Sequence, residues 1–76
     1  MIKVKVYSLD NCGQCKQTID WLTTRRIKHA VVKIDDDYEA FDEVVKMGYR
    51  KAPVIVVDET HWAGFNEDKL KGIFGG

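Results

Sequence analysis

The sequence has 76 residues, room for one domain and no second folded unit. Hydrophobic residues make up 45% and charged residues 32%, the balance of an ordinary globule, which excludes a disordered, collagen-like or membrane-spanning chain. Twelve basic residues balance twelve acidic ones, so no net field draws the chain to nucleic acid.

The opening Met1-Ile2-Lys3-Val4-Lys5-Val6 alternates charge with aliphatic side chains, unlike the unbroken apolar stretch of a secretion signal. That period-two pattern predicts a strand over residues 2–7. Ser8-Leu9-Asp10-Asn11 interrupts it with turn formers. From Cys12 to about Thr24 the apolar set Cys15, Ile19 and Leu22, continued by Ile27, follows helical spacing. Arg25, Arg26 and Lys28 gather at its C-terminal end, where the helix dipole favours cations. His29–Ile34 reads as a second strand, so strand, helix and strand form a parallel, right-handed crossover unit.

Asp35-Asp36-Asp37 provides an N-cap and an acidic entry to a helix over residues 38–47. Its expected buried stripe is Tyr38, Phe41, Val44 and Val45, and Gly48 is placed to stop it. Val54-Ile55-Val56-Val57 is apolar on both faces and predicts an interior strand. It is the longest apolar run, far short of the ~20 residues that cross a membrane. Asp58-Glu59 turns into a short strand, Thr60-His61-Trp62. Asn66 then caps a last helix through Phe74, with Glu67 and Asp68 at its positive end and Gly75-Gly76 as a frayed tail. The order is βαβ, then α, then ββα: an α/β fold with a four-stranded mixed sheet flanked by three helices.

Only two cysteines occur, in Cys12-Gly13-Gln14-Cys15. As a staple the pair is weak, since chain entropy gives about 2 kcal/mol for a four-residue loop against about 3 for fifteen. On the map above, Cys12 falls at the N-cap of the first helix and Cys15 one turn later on the same face. The helix start offers unpaired N–H groups and partial positive charge to the Cys12 sulfur, which favours its thiolate. Cys15 points inward and stays shielded. Cys12 is therefore the candidate nucleophile toward a substrate disulfide, and Cys15 the resolving thiol that attacks the mixed disulfide. A zinc site completed by His29 and His61 and a purely structural disulfide are the competing readings. The spacing of the histidines matches no compact finger, and a CxxC closing a βα turn within a βαβ unit is the thioredoxin-like arrangement.

With those residues placed, the whole chain resembles glutaredoxin-like redoxins of the NrdH type, members of the thioredoxin-fold superfamily. Tyr7-Ser8 matches the family's strand end and Gln14 its Cys-x-Gln-Cys. Gly48-Tyr49-Arg50-Lys51-Ala52-Pro53-Val54 is similar to its Gly-aromatic-Arg-x-x-Pro-Val segment, and Trp62-Ala63-Gly64-Phe65 with Asp68 to its Trp-Ser-Gly-Phe-Arg-Pro-Asp. The resemblance implies a thioredoxin-like fold and a cis bond before Pro53 beside the disulfide. It implies substrate contacts at Gly13, Gln14, Ala52, Pro53, Trp62, Gly64 and Phe65, the Ala52 backbone pairing with an extended substrate segment. Trp62 would anchor the Gly64-Phe65 loop and offer a partly exposed aromatic docking face.

By the same resemblance the chain is a cytoplasmic, monomeric electron carrier with no bound cofactor beyond the Cys12–Cys15 redox disulfide. Its reductant would be a thioredoxin reductase using NADPH, and its client the large subunit of a class Ib ribonucleotide reductase. A glutathione-dependent glutaredoxin and a non-catalytic thioredoxin-fold adaptor are the alternatives. Two departures stand out. Leu9 occupies the position where many relatives carry Lys or Arg, and Asn66-Glu67 replaces the family's Arg-Pro. Charge is also unevenly spread: residues 1–33 hold seven Lys/Arg against two Asp, and residues 34–76 five against ten Asp/Glu. That asymmetry predicts two solvated faces or a polarised surface that orients a protein partner.

Overall fold

The computed structural model describes residues 2–75. The elements follow the expected order: β1 (Val4–Ser8), α1 (Gly13–Thr24), β2 (Ala30–Lys33), α2 (Tyr38–Lys46), β3 (Val54–Val57), β4 (Thr60–Ala63) and α3 (Glu67–Phe74). The sheet order is β2-β1-β3-β4, with β1 parallel to β2 and antiparallel to β3, and β3 antiparallel to β4. The doubly apolar β3 is interior, as its sequence requires.

Register decides where chemistry can happen. Ser8 pairs with Lys33, Tyr7 with Val54, and Val54 with Ala63. The turn after β1, the segment before β3 and the loop after β4 therefore leave the sheet at the same end. Those three segments carry Cys12, Pro53 and Gly64.

Alternation of side chains splits the core into two layers. Val4, Val6, Ile55, Val57 and Trp62 meet Trp21 and Leu22 of α1 and Leu70 of α3. On the other face Tyr7, Val54 and Ile34 meet Ala40 and Val44 of α2. The expected α2 stripe is only partly right. Val44 is buried, but Tyr38, Phe41 and Val45 are 90%, 49% and 46% exposed. The helix turns its Ala40–Val44 row inward because the small Ala40 lets it approach the sheet, and Phe41 and Val45 rotate to its flank.

Both long helices end in the same way. At α2, Gly48 takes φ +95°, its N–H donates to Val45 O (3.0 Å) and the Tyr49 N–H to Val44 O (3.2 Å). At α1, Arg26 takes φ +58°, with Arg26 N–H to Thr23 O (3.0 Å) and Ile27 N–H to Leu22 O (2.9 Å). This is the paired 6→1 and 5→2 pattern that closes a helix through a left-handed residue. Gly75 is the C-cap of α3, its N–H donating to Lys71 O at 2.8 Å, so it ends a helix instead of belonging to a tail; Gly76 lies outside the described residues. His29, expected in the second strand, precedes it and bonds through Nδ1 to Ile27 O at 2.8 Å.

Candidate active site

Cys12 is the N-cap of α1, with extended backbone at φ −112° and ψ 108°. Its Sγ accepts a hydrogen bond from the Cys15 N–H at 3.2 Å, so the sulfur occupies the place of a capping oxygen. Cys12 and Cys15 form a disulfide, with Cα atoms 5.2 Å apart. Their exposures differ: Cys12 is half-buried, while Cys15 is 2% exposed beneath it. Only the Cys12 side of the pair can be approached by a macromolecular disulfide.

The two residues between the cysteines have different surroundings. A Cβ at Gly13 would meet nothing within 4 Å, so this position presents bare backbone at the rim. Gln14 reaches across the site, its Oε1 accepting from the Phe65 N–H at 3.2 Å. The next link is Gly64, whose N–H donates to Pro53 O at 2.7 Å. The Ala52–Pro53 bond is cis, and Pro53 is fully buried. The chain of contacts thus runs from Gln14 in the CxxC, through Phe65 and Gly64, to Pro53. Ala52 and Phe65 remain half-buried on its outer side.

Trp62 does not provide the exposed docking face expected of it. At 5% exposure it belongs to the α1/α3 core layer, with Lys69 Nζ 5.7 Å from its ring centroid. An aromatic on the inward face of β4 packs in the layer that holds Leu70 and cannot reach the rim; Phe65, past the end of the strand, is half-buried and packs against the same layer. The residues replacing the family's Arg-Pro have taken other duties. Asn66 Oδ1 caps α3 by accepting from the Lys69 N–H (3.2 Å), and Glu67 accepts from Trp21 Nε1 (3.2 Å), joining α3 to α1.

Leu9 is 40% exposed and brings no charge to the disulfide. A cation from β2 stands at the same turn, but in an ion pair. Lys33 Nζ at the end of β2 lies 3.0 Å from Asp10 Oδ1. That pairing holds Asp10 below the usual carboxylate range and raises Lys33. Sequence reasoning missed this pair. The signal that would have found it is the parallel register, which sets the last residue of β2 beside the last residue of β1. Of the histidines in the zinc alternative, His61 meets Tyr49 Oη through Nδ1 at 2.7 Å and His29 meets Ile27 O through Nδ1 at 2.8 Å. Among the described residues no three His, Cys, Asp or Glu side chains converge on a metal position.

The glutaredoxin family model matches residues 4–62, most of the chain. The glutaredoxin-like protein NrdH of Lactococcus lactis subsp. cremoris is 40% identical over 67 residues, covering 88% of this chain and 93% of that protein. This chain belongs to the glutaredoxin family. Within it, the similarity is to NrdH-type redoxins, and that of Salmonella typhimurium is 28% identical over 69 residues, covering 91% and 85% of the two chains. Among solved structures, the NrdH-redoxin of Escherichia coli superposes with a TM-score of 0.89 at 23% identity, covering 97% of each chain. A glutaredoxin of Archaeoglobus fulgidus gives 0.80 at 32% identity, covering 100% of this chain and 89% of that one. The fold is thioredoxin-like, and this redoxin is a thiol–disulfide oxidoreductase whose reactive pair is Cys12–Cys15. No helix is long and apolar enough to cross a membrane among the described residues.

Proposed function

We propose that this redoxin carries electrons in the cytoplasm, as a monomer, from a thioredoxin reductase to a disulfide of a class Ib ribonucleotide reductase large subunit. The observation that carries the exchange chemistry is the unequal exposure of the two sulfurs on one helix N-terminus, and the choice of partners rests on the likeness to NrdH-type redoxins. In the reduced protein the Cys12 thiolate, favoured by the helix-start N–H groups, attacks one sulfur of the client disulfide. A Cys12–client disulfide forms and the other client sulfur leaves as a thiolate. Cys15 then loses its proton and attacks Cys12 Sγ, closing the Cys12–Cys15 disulfide and releasing the second client thiolate. Two electrons pass to the client, and the reductase returns them from NADPH. The two sulfurs suffice for this exchange, with no resident cofactor.

The client segment would lie along Ala52, whose backbone precedes the buried Pro53, and against the Gly13 rim and Phe65. Gln14, Gly64 and Trp62 hold that surface in shape from below. The NrdH-redoxin of Escherichia coli has a thioredoxin-like activity profile, which favours a reductase over glutathione as electron donor for this relative too. Leu9 in place of a cation points the same way, since it removes a partner for a glutathione carboxylate. The oxidised protein should be reduced rapidly by thioredoxin reductase with NADPH, and slowly by glutathione alone. Rapid reduction by glutathione with none by the reductase would overturn this reading in favour of a conventional glutaredoxin.

A further inference from the structure

The turn that carries Cys12 also carries a negative charge. Asp10 stands two residues before the cysteine, and a free carboxylate there opposes a thiolate at Cys12 by like-charge repulsion. The fold brings a cation to that spot from a different element. Lys33 ends β2 in register with Ser8, the Ile34 N–H donates to Ser8 O at 2.9 Å, and Lys33 Nζ sits 3.0 Å from Asp10 Oδ1. One shallow cleft is lined by Asp10, Cys12, Cys15, Lys16 and Lys33 together. The other charged groups around the site are Asp35 and Asp36 after β2, and Arg50 and Lys51 before Pro53, all exposed.

We propose that Lys33 is a positioning residue for the exchange: by pairing with Asp10 it keeps that carboxylate's charge off the Cys12 sulfur and so maintains the attacking thiolate. The inference rests on Cys12 being the attacking sulfur. Removing Lys33 uncovers Asp10, so the Cys12 thiol titrates higher; removing Asp10 leaves an unopposed cation, so it titrates lower. Removing both restores the original balance. A Coulomb interaction screened by solvent sets the size, a shift of about 0.3–0.5 pH units, or two- to threefold in the thiolate present below the pKa. A role limited to pinning the turn behaves differently, because either substitution breaks the same pin and both move the titration in one direction.

The test uses the fully reduced protein and reads the pH dependence of iodoacetamide alkylation, with the modified residue located by mass spectrometry. Wild type, Lys33→Gln, Asp10→Asn and the double variant are compared at low salt and at 1 M salt. The expected result is a raised Cys12 pKa in Lys33→Gln, a lowered one in Asp10→Asn and a value near wild type in the double variant. The differences should shrink at 1 M salt. Single variants that shift in the same direction, or not at all, would overturn the proposal. Preferential alkylation of Cys15 in the wild type would remove the exchange order on which it rests, and the proposal with it.

Discussion

A Cβ added at Gly64 would stand 3.3 Å from Gln14 Oε1, on backbone at φ +88°. L side chains rarely adopt that conformation, so the position combines intrinsic strain with a close neighbour. Gly64→Ala should lower stability by about 1–2 kcal/mol in urea unfolding of the disulfide-intact protein. Gly13→Ala, whose Cβ meets nothing within 4 Å, is the control and should unfold within about 0.5 kcal/mol of wild type. At this scale the sequence was informative about which residues matter and less so about what they do. The place of Cys12 at a helix start with Cys15 one turn on was legible from the turn formers and the helical spacing, while Pro53 and Gly64 were singled out by the resemblance to the family's segments. The Gln14–Phe65 bond spans 51 positions and follows only from strand register. Trp62 was misread because its strand is short, and an alternation over Thr60–Ala63 does not reveal which face of the sheet is covered.

Among the elements, α2 shows where periodicity falls short. Its caps were readable: Asp37 Oδ1 accepts from the Glu39 and Ala40 N–H groups at 3.1 and 3.2 Å, and Gly48 closes the other end. Its buried face was not, because nine residues offer two apolar rows and the choice between them depends on how closely the helix can approach the sheet. The contact that fixes this rotation is Tyr7 Oη, which donates to Glu43 Oε2 at 2.8 Å from a ring only 3% exposed. Burial first, and then the Glu43 carboxylate, push the Tyr7 hydroxyl up to about 12. Below pH 10 the group is protonated in folded and unfolded chains alike, and its contribution is fully present. Between about 10 and 12 the unfolded chain releases the proton first, so stability falls as pH rises. The expected loss is about 2–3 kcal/mol across that window in wild type, and Tyr7→Phe should flatten it. Denaturant unfolding of both proteins between pH 9 and 12 checks this.

The whole molecule explains how 76 residues suffice. A four-stranded sheet with three helices gives two thin core layers, and its register delivers three loops to one end without any extra segment. The opposite end of β1 is different in character: Lys3, Lys5, Lys28 and His29 line a groove there. The basic excess of the first half is thus spread over that distal groove, which Asp58 also lines, the Arg25-Arg26 end of α1, and Lys16 and Lys33 beside the disulfide, while six of the ten acids of the second half lie at Asp35–Asp37 and on α2. Neutral overall charge conceals that arrangement. Fold class and element order were legible because the pattern switches cleanly between periods two and 3.6. The charge geometry was not, since it depends on which strand ends lie side by side. Electron transfer by this pair requires an order of attack, with Cys12 first and Cys15 resolving. It is tested most directly by mixing reduced Cys15→Ser protein with a disulfide-bearing client and mapping the adduct by mass spectrometry. A stable mixed disulfide through Cys12, which the wild type does not accumulate, is expected; absence of any adduct would rule this order out.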